Sequence, residues 1–476
     1  MLFNSLEFAL FLPVVFILYW SIGSKNKTLQ NCLILAASYF FYGYWDWRFL
    51  FLILFSSLID FWAGIAIYNA KEEKKKKWWL YFSVFWNLGV LFIFKYFNFF
   101  IGSFLNAFNL DTNGAILGSL GILLPVGLSF YTFQTLSYTI DVYKNRIKPT
   151  HKLLEFLCFV SFFPQLVAGP VERASFLLPQ FLNKRFFDSQ NAKEGLRQIL
   201  WGLFKKVVIA DNLVVAVNQM YSNPEQFQSL ELFYIAILYY FQLYCDFSGY
   251  VDIAIGTAKL FGFELSVNFR MPHLSRSIRD FWRRWNITLS QWFRDYLYIP
   301  FVKQRPRTEV NTAIGLFITF TLIGLWHGAN WNFLVFGAIH SILVIIYRYI
   351  PAVDAKNFRN HFRFRLADLT AILTSFFILV ITLIIFRTPD LALGFRIIGE
   401  IFSFTRDSDF ETIIGLKVLF VFLLLAIELP NRHKDFPLQG MENYIPRAGR
   451  WLIYYSFIYL IIRYAGPQAE YIYFQF

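Results

Sequence analysis

The chain has 476 residues, of which 57% are hydrophobic and only 16% charged, and its mean hydropathy is +0.47. A soluble domain carries about 25% charged residues, so this composition excludes an ordinary soluble protein and indicates a polytopic membrane protein. The formal net charge of +13 is expected from lysines and arginines in cytoplasmic loops that face anionic lipid heads. Nothing in the sequence indicates nucleic-acid binding.

Apolar segments recur along the whole chain. A helix needs about 17 to 25 residues to cross the hydrocarbon core. The candidate crossings are 6–20, 29–44, 49–68, 79–96, 118–138, 153–167, 233–260, 313–325, 332–347, 369–386, 418–427 and 451–464. Several are short or interrupted, so some are expected to be re-entrant. The pattern predicts an all-α integral membrane protein with about eleven transmembrane helices, together with re-entrant and interfacial ones.

Basic residues in the short loops predict the orientation. The densest basic run, 71–77, is expected on the cytoplasmic side, and Lys25 and Lys27 precede it by two crossings. The turn between them, 43–47, has few cations and fits the outside. The N-terminus is therefore predicted outside the membrane, and the first segment is predicted to be a retained span, since it lacks a basic start and a cleavage site.

Three polar stretches, 151–188, 269–307 and 349–365, interrupt the apolar pattern. The first contains Pro164, Gly169 and Pro170 near the end of an apolar run, which favours a broken or re-entrant helix. With no internal repeat and no long linker, residues 1–476 are predicted to form a single integral domain. The third stretch is expected to be a cytoplasmic loop.

The second polar stretch holds arginines interleaved with tryptophans. On a helix, Trp282 and Asn286 would lie near one face with Arg279 and Arg283, because each pair is four residues apart. Two interpretations stay open at this point. The segment is either an interfacial helix whose arginines extend to lipid head groups or part of a reaction site.

Histidines and aspartates within apolar segments are the candidate functional residues. His327 ends the apolar stretch 314–325, and a membrane histidine either forms an interhelical hydrogen bond or marks a reaction path. His340, in the next apolar run, is interpreted as an interhelical hydrogen bonder. Asp246 and Asp252 are expected to line a chamber or, preferably, to pair with an arginine such as Arg270.

The cysteines and the metal-ligating residue types bear on two further chemistries. Cys245 beside Asp246 is a competing covalent nucleophile, but no basic neighbour in the local sequence lowers the pKa of such a thiol. Cysteines are too few for a disulfide framework, and no cluster of histidines and carboxylates has the spacing of a metal site, so neither a metal nor a bound cofactor is predicted.

Five motifs follow one another along the chain and define a core of about 124–330. They are LPVGLSFYTFQTLSY (124–138), VAGPV (167–171), YCDFSGYVDIA (244–254), FWRRWN (281–286) and GLWHG (324–328). In this order they resemble the membrane-bound O-acyltransferase family, in particular the bacterial branch of alginate O-acetyltransferases and teichoic-acid D-alanyl transfer proteins. The closing residues 471–476 also resemble the tail of this branch.

The resemblance implies a ring of helices around a central reaction chamber, in the inner membrane of a bacterium. It implies transfer of an acyl group, expected to be acetyl with D-alanyl as the alternative, from a cytoplasmic thioester to a hydroxyl presented from outside. The donor would be acetyl-CoA or an acyl carrier protein, and the acceptor an exported polysaccharide, peptidoglycan or teichoic acid. An extracytoplasmic transferase is an expected partner. A transporter or flippase is the alternative of another class, but paired broken helices are not found.

The resemblance also assigns the catalytic residues. The family's essential histidine falls on His327, and its second motif falls on Asn286, where the nearest branch commonly carries histidine. Histidine suits the removal of the hydroxyl proton, whereas the asparagine amide can only donate a hydrogen bond or orient its neighbours. Asp246, Trp282, Arg283 and Trp326 are predicted to line the chamber.

Overall fold

The protein is described from a computed structural model, which covers residues 1–108, 124–350, 366–403 and 416–472. Within these ranges every regular element is helical. The first part of the predicted crossing 118–138, the basic loop after residue 350 and the last four residues of the tail lie outside the described residues.

The α-helices are numbered here in chain order. They are α1 Leu6–Ser21, α2 Lys27–Asp46, α3 Arg48–Asn69, α4 Glu73–Leu91, α5 Phe97–Ala107, α6 Leu128–Tyr143, α7 Leu153–Ser161, α8 Phe163–Leu166, α9 Ala174–Leu182, α10 Ser189–Leu203, α11 Asp211–Ser222, α12 Ser229–Leu260, α13 Ile278–Phe281, α14 Ile287–Phe293, α15 Ile299–Lys303, α16 Glu309–His327, α17 Trp331–Tyr349, α18 Leu366–Arg387, α19 Leu391–Ile401, α20 Leu416–Glu428 and α21 Arg447–Arg463.

Six stretches among the described residues are long and apolar enough to cross a membrane. They are Leu6–Lys25, Arg48–Asn69, Glu73–Ala107, Glu309–His327, Trp331–Tyr349 and Leu366–Arg387. Their apolar side chains point outward as well as inward: Leu6 is 74% exposed and Phe85 79%, which suits a hydrocarbon solvent. The predicted membrane protein is confirmed, while the count of about eleven crossings and the ring stay predictions.

The described residues form two compact units, and the first comprises Met1–Ala192 with Ala258–Ser266. A polar cluster joins three of its helices. Asp60 of α3 accepts hydrogen bonds from Ser83 Oγ at 2.6 Å and from Asn87 Nδ2 at 2.8 Å, both on α4. Thr135 of α6 donates to Asn87 Oδ1 at 3.2 Å. Hydrogen bonds of this kind hold helices together where the apolar effect between them is weak.

The first two motifs pack against each other in this unit. Gly127 begins α6 with φ 76°, and a Cβ there would overlap the carbonyl oxygen of Leu166, so the contact requires glycine. Gln134 donates to the Phe159 carbonyl at 2.6 Å. The predicted broken helix is confirmed: α7 ends at Ser161, α8 has four residues, and an irregular buried segment follows to Arg173.

The second unit comprises Lys193–Thr257 with Val267–Phe476 and contains the other three motifs. Glycines allow a close helix contact in it: a Cβ on Gly202 of α10 would lie 2.5 Å from the Gly249 carbonyl oxygen, and one on Gly256 of α12 would lie 2.5 Å from the Gly195 carbonyl oxygen. Small residues let backbones approach in this way. That residues 1–476 act as a single integral domain stays a prediction.

Candidate active site

His327 is the last residue of α16 in the second unit and is 3% exposed. Its ring packs edge-on to Phe386 of α18, with centroids 5.1 Å apart, and against Trp326 at 4.9 Å. The backbone turns to an extended conformation at Gly328, which ends the helix. The apolar run therefore delivers a histidine into a buried aromatic layer at a helix end.

Glycines position this histidine. A Cβ on Gly324 would overlap the Phe333 carbonyl oxygen, and one on Gly337 would overlap the Phe320 carbonyl oxygen. The α16–α17 pair thus packs backbone against backbone. A Cβ on Gly328 would strike the ring of Phe333. The two glycines of the motif 324–328 are therefore required by packing around His327.

Residues 279–286 do not form the continuous helix on which Arg279, Trp282, Arg283 and Asn286 would share a face. Helix α13 ends at Phe281, turns follow through Trp285, and α14 begins only at Ile287. The break occurs at Asn286, which lies in the left-handed region at φ 42° and ψ 57°. Asparagine tolerates this conformation better than most residues. Trp282, Arg283 and Asn286 therefore do not share a helical face.

The orientation of the Asn286 amide follows from its neighbours. Asn268 Oδ1 accepts from the Thr288 backbone N–H at 3.0 Å and from Thr288 Oγ1 at 2.9 Å, which fixes Asn268 Nδ2 as the donor to Asn286 Oδ1 at 3.1 Å. Asn286 Nδ2 then has no hydrogen-bond partner among the described residues, although the residue is only 1% exposed. A buried N–H donor without a partner is costly to retain, and such groups are found where a ligand supplies the acceptor.

His340 holds the neighbouring tryptophan, and its interpretation as an interhelical hydrogen bonder is confirmed. The Trp282 indole N–H donates to His340 Nδ1 at 3.1 Å, and His340 Nε2 lies 3.0 Å from Thr382 Oγ1. Because an indole can only donate, Nδ1 is the acceptor and the proton is on Nε2. His340 is therefore a positioning residue that ties the turn after α13 to α17 and α18.

Aromatic contacts link His327 to His340, which holds Trp282. His340 contacts Phe336 at 4.2 Å, Phe336 contacts Phe386 at 5.1 Å, and Phe386 packs on His327. Asn286 follows Trp282 by four residues along the chain. The structure thus joins His327, His340 and Trp282 to one packed layer of the second unit, and the action of His327 and Asn286 on one substrate stays a prediction.

The aspartates of α12 pair with lysines. Asp246 lies 2.6 Å from Lys206 Nζ, and Asp252 lies 2.6 Å from Lys205 Nζ, whereas Arg270 lies 3.6 Å from Asp435. The preferred pairing interpretation is right in kind and wrong in partner. Lys205 lies 47 residues before Asp252 and Lys206 lies 40 residues before Asp246, both in the π-helical segment Phe204–Ala210 that follows α10, and no local pattern in the sequence connects them.

The tail of the chain completes this cluster. The Ile472 backbone N–H donates to Asp246 Oδ2 at 2.8 Å, and the Tyr471 ring stacks on Tyr250 at 4.8 Å. Lys206 Nζ also donates to the Ala469 carbonyl at 3.1 Å. Asp246 therefore has two partners, the Lys206 ammonium and the Ile472 backbone N–H, which stabilise its buried carboxylate. Its place in the wall of the reaction chamber stays a prediction.

Sequence reasoning missed a buried acid. Glu428, at the end of α20, accepts from the Tyr244 hydroxyl at 2.8 Å, and its second oxygen lies 3.4 Å from His273 Nε2. The signal in the sequence was a lone glutamate ending an apolar run. The remaining candidates differ in burial: Trp326 is 3% exposed and Cys245 is fully buried, whereas Arg283 is exposed.

Comparison with known proteins gives a consistent picture. The profile described as MBOAT, membrane-bound O-acyltransferase family, matches residues 143–386. A protein of Pseudomonas aeruginosa named as an alginate O-acetylase is 37% identical over 458 residues, covering 92% of this chain and 83% of the relative. A Helicobacter pylori peptidoglycan O-acetyltransferase is 33% identical over 427 residues, with 84% and 79% covered. A Bacillus subtilis teichoic acid D-alanyltransferase is 29% identical over 252 residues, with 48% and 60% covered.

Proposed function

The chain belongs to the membrane-bound O-acyltransferase family, and from this premise we propose that it moves an acetyl group from a cytoplasmic thioester to hydroxyls of an exported or cell-surface polysaccharide. It is an O-acyltransferase, which replaces the transporter alternative. The observation that carries the acetyl and polysaccharide assignment is the 37% identity to a protein named as an alginate O-acetylase over 92% of this chain.

His327 is the proposed general base. Acyl transfer forms a bond between the acceptor oxygen and the acyl carbon, breaks the C–S bond of the thioester and requires removal of the hydroxyl proton. The imidazole takes that proton and returns it to the departing thiolate. General-base assistance is worth about 10² to 10⁴ in rate. The burial of His327 at 3% exposure supports this role, because water is kept from the thioester.

Asn286 is the proposed donor to the oxygen of the acyl carbonyl, which becomes negative in the transition state. Its Nδ2 is buried, is turned away from Asn268 and has no hydrogen-bond partner within the described ranges. A donor fixed in advance needs no reorganisation when the charge develops, and losing one such donor lowers the rate by about 10² to 10³. This role requires only an N–H group, so it is compatible with asparagine where the nearest branch carries histidine.

The donor is acetyl-CoA or an acetylated carrier protein on the cytoplasmic side, and an extracytoplasmic transferase receives the acyl group or completes its transfer. The predicted N-terminus-out orientation in the bacterial inner membrane assigns these sides. A decisive measurement compares the acetyl ester content of surface glycans in cells with the gene, without it and with the His327→Ala variant. An unchanged ester content after deletion would contradict the proposal.

Peptidoglycan O-acetylation is the second candidate, favoured by the 33% identity to a named peptidoglycan O-acetyltransferase over 84% of this chain. The same deletion strain distinguishes the two. Purified peptidoglycan and extracted exopolysaccharide are hydrolysed separately with mild alkali, and the released acetate is measured in each. Loss from the peptidoglycan fraction alone selects the second candidate.

A further inference from the structure

A groove of about 620 Å³ lies between α10 and α21 in the second unit. One wall carries Lys193, Leu196 and Leu200 of α10, which share a helical face because they are three and four residues apart. The other wall carries Trp451 and Ile458 of α21, seven residues apart. The groove is separate from the residues around His327 and Asn286.

The helices that form the two walls, α10 and α21, run parallel in the N-to-C direction. Arg197 Nε donates to the Tyr454 hydroxyl at 2.8 Å, and further along both helices Trp201 contacts Phe457 with centroids 5.9 Å apart. The N-terminal ends of α10 and α21 therefore lie at the same end of the groove. Partial positive charge from both helix ends adds to any cations there.

That end of the groove is basic. Lys193 lies in the second turn of α10, and Arg447 and Arg450 lie in the first turn of α21. Among the described residues none of these three has an ion pair or a side-chain hydrogen bond, and Arg450 Nε is buried without a partner. Arg197 differs, since it pairs with two carboxylates, those of Glu194 and Glu442. The four cations and two carboxylates together leave this end with a net positive charge.

The other end of the groove is apolar and open. Leu196 is 58% exposed and Ile458 is 43% exposed, and both helices continue with apolar side chains toward their C-terminal ends. Exposed apolar surface of this kind in a membrane protein is suited to contact with lipid acyl chains. A basic end and an apolar end in one groove match the two ends of a phospholipid.

We propose that this groove binds one anionic glycerophospholipid. The phosphate lies on Lys193, Arg447 and Arg450, and an acyl chain follows Leu196 and Ile458. A zwitterionic lipid is disfavoured because its ammonium group would lie beside three cations. Free phosphate lacks the apolar contacts. The positive-inside rule places this basic cluster at the cytoplasmic leaflet, where anionic lipids concentrate.

The test uses the full chain in detergent, titrated separately with phosphatidylglycerol, phosphatidylcholine and inorganic phosphate. Bound lipid is counted by native mass spectrometry, and the melting temperature is followed in parallel. The triple variant Lys193→Gln, Arg447→Gln, Arg450→Gln removes the basic end. A matched control, Lys74→Gln, Lys76→Gln, Lys77→Gln, removes the same charge from the basic run in the first unit.

Wild type and control are expected to retain one phosphatidylglycerol and to gain thermal stability from it. Each cation near a lipid surface contributes about fivefold in affinity, so the triple variant should lose on the order of 100-fold. The variant Ile458→Trp fills the apolar end without changing charge and is expected to weaken phosphatidylglycerol binding as well. This second variant tests the groove even if the triple variant fails to fold.

Four results would overturn the proposal. Equal retention of phosphatidylcholine would remove the role of charge, and unchanged binding in the triple variant would place the lipid elsewhere. A melting shift from phosphate equal to that from phosphatidylglycerol would exclude the acyl chain. A dimer that Ile458→Trp dissociates, with lipid binding unaffected, would make the groove an interface between copies of the chain.

Discussion

Substitution of Asn286 separates a catalytic donor from a packing residue. The wild-type side chain does two things: Oδ1 accepts from Asn268 Nδ2 at 3.1 Å, and Nδ2 is a buried donor with no partner in the described part of the chain. Asn286→Asp keeps the acceptor and the tolerance for φ 42° but removes the N–H donor. Asn286→His keeps both the acceptor and the donor, because Nδ1 can accept from Asn268 while Nε2–H donates.

The expected magnitudes follow from these contacts. Loss of one preorganised donor lowers the transfer rate by about 10² to 10³, or roughly 3 to 4 kcal/mol. Asn286→Asp should fall by at least the lower figure, since its charge also repels the developing oxyanion, whereas Asn286→His should retain measurable activity. Asn286→Ala differs again: it orphans the Asn268 donor at about 1 to 3 kcal/mol and adds left-handed strain of about 1 kcal/mol, so stability should fall as well.

The assay is the acetyl ester content of the acceptor glycan, normalised to the amount of each variant in the membrane fraction. Melting in detergent shows whether a variant is folded. Equal normalised activity of Asn286→Asp and Asn286→His would refute the donor role and leave Asn286 as a packing residue. The comparison is independent of which glycan accepts the acetyl group, provided that one ester product is measured.

Four further predictions follow from the same structure. His327→Ala should insert and fold but lose at least about 100-fold in transfer; membranes that retain more than about a tenth of wild-type activity would contradict the base role. His340→Leu leaves the Trp282 N–H without its acceptor, whereas the Thr382 hydroxyl still donates to the Ile378 carbonyl at 3.0 Å, so melting should show a loss of about 1 to 3 kcal/mol. His340→Gln should lie closer to wild type, and equal melting of the two variants would refute the positioning role. A cysteine placed within 71–77 should react with an impermeant thiol reagent only in opened cells, and labelling of intact cells would invert the orientation. Burial raises the pKa of Glu172, in the loop before α9 and outside the candidate spans, to about 7. The folded state therefore loses stability as pH rises from the unfolded pKa of Glu172 toward 7. Above pH 7, Glu172→Gln should have a higher melting temperature than wild type, and the difference should shrink toward pH 5. A difference in melting temperature that does not change with pH would contradict this.

Composition and motif spacing determined the class of this protein and pointed to His327 as the candidate base. Sustained apolar runs need a hydrocarbon solvent, and a histidine at the end of one is costly unless it has a role. The break at 163–173 was also predictable, because proline and glycine act on the local backbone. These effects act between residues that are close in the sequence, so they can be predicted from the sequence alone.

Tertiary structure decided what distant residues do to one another. Residues 279–286 do not present one helical face, because the chain breaks at Asn286, which takes a left-handed conformation and accepts a hydrogen bond from Asn268, 18 residues away. Asp246 was expected to meet an arginine but meets Lys206 and the backbone of Ile472, 226 residues further on. A charged group within apolar sequence must find a partner, and that requirement is readable from the sequence; which partner it finds depends on how the helices pack, and periodicity along the chain contains no such information.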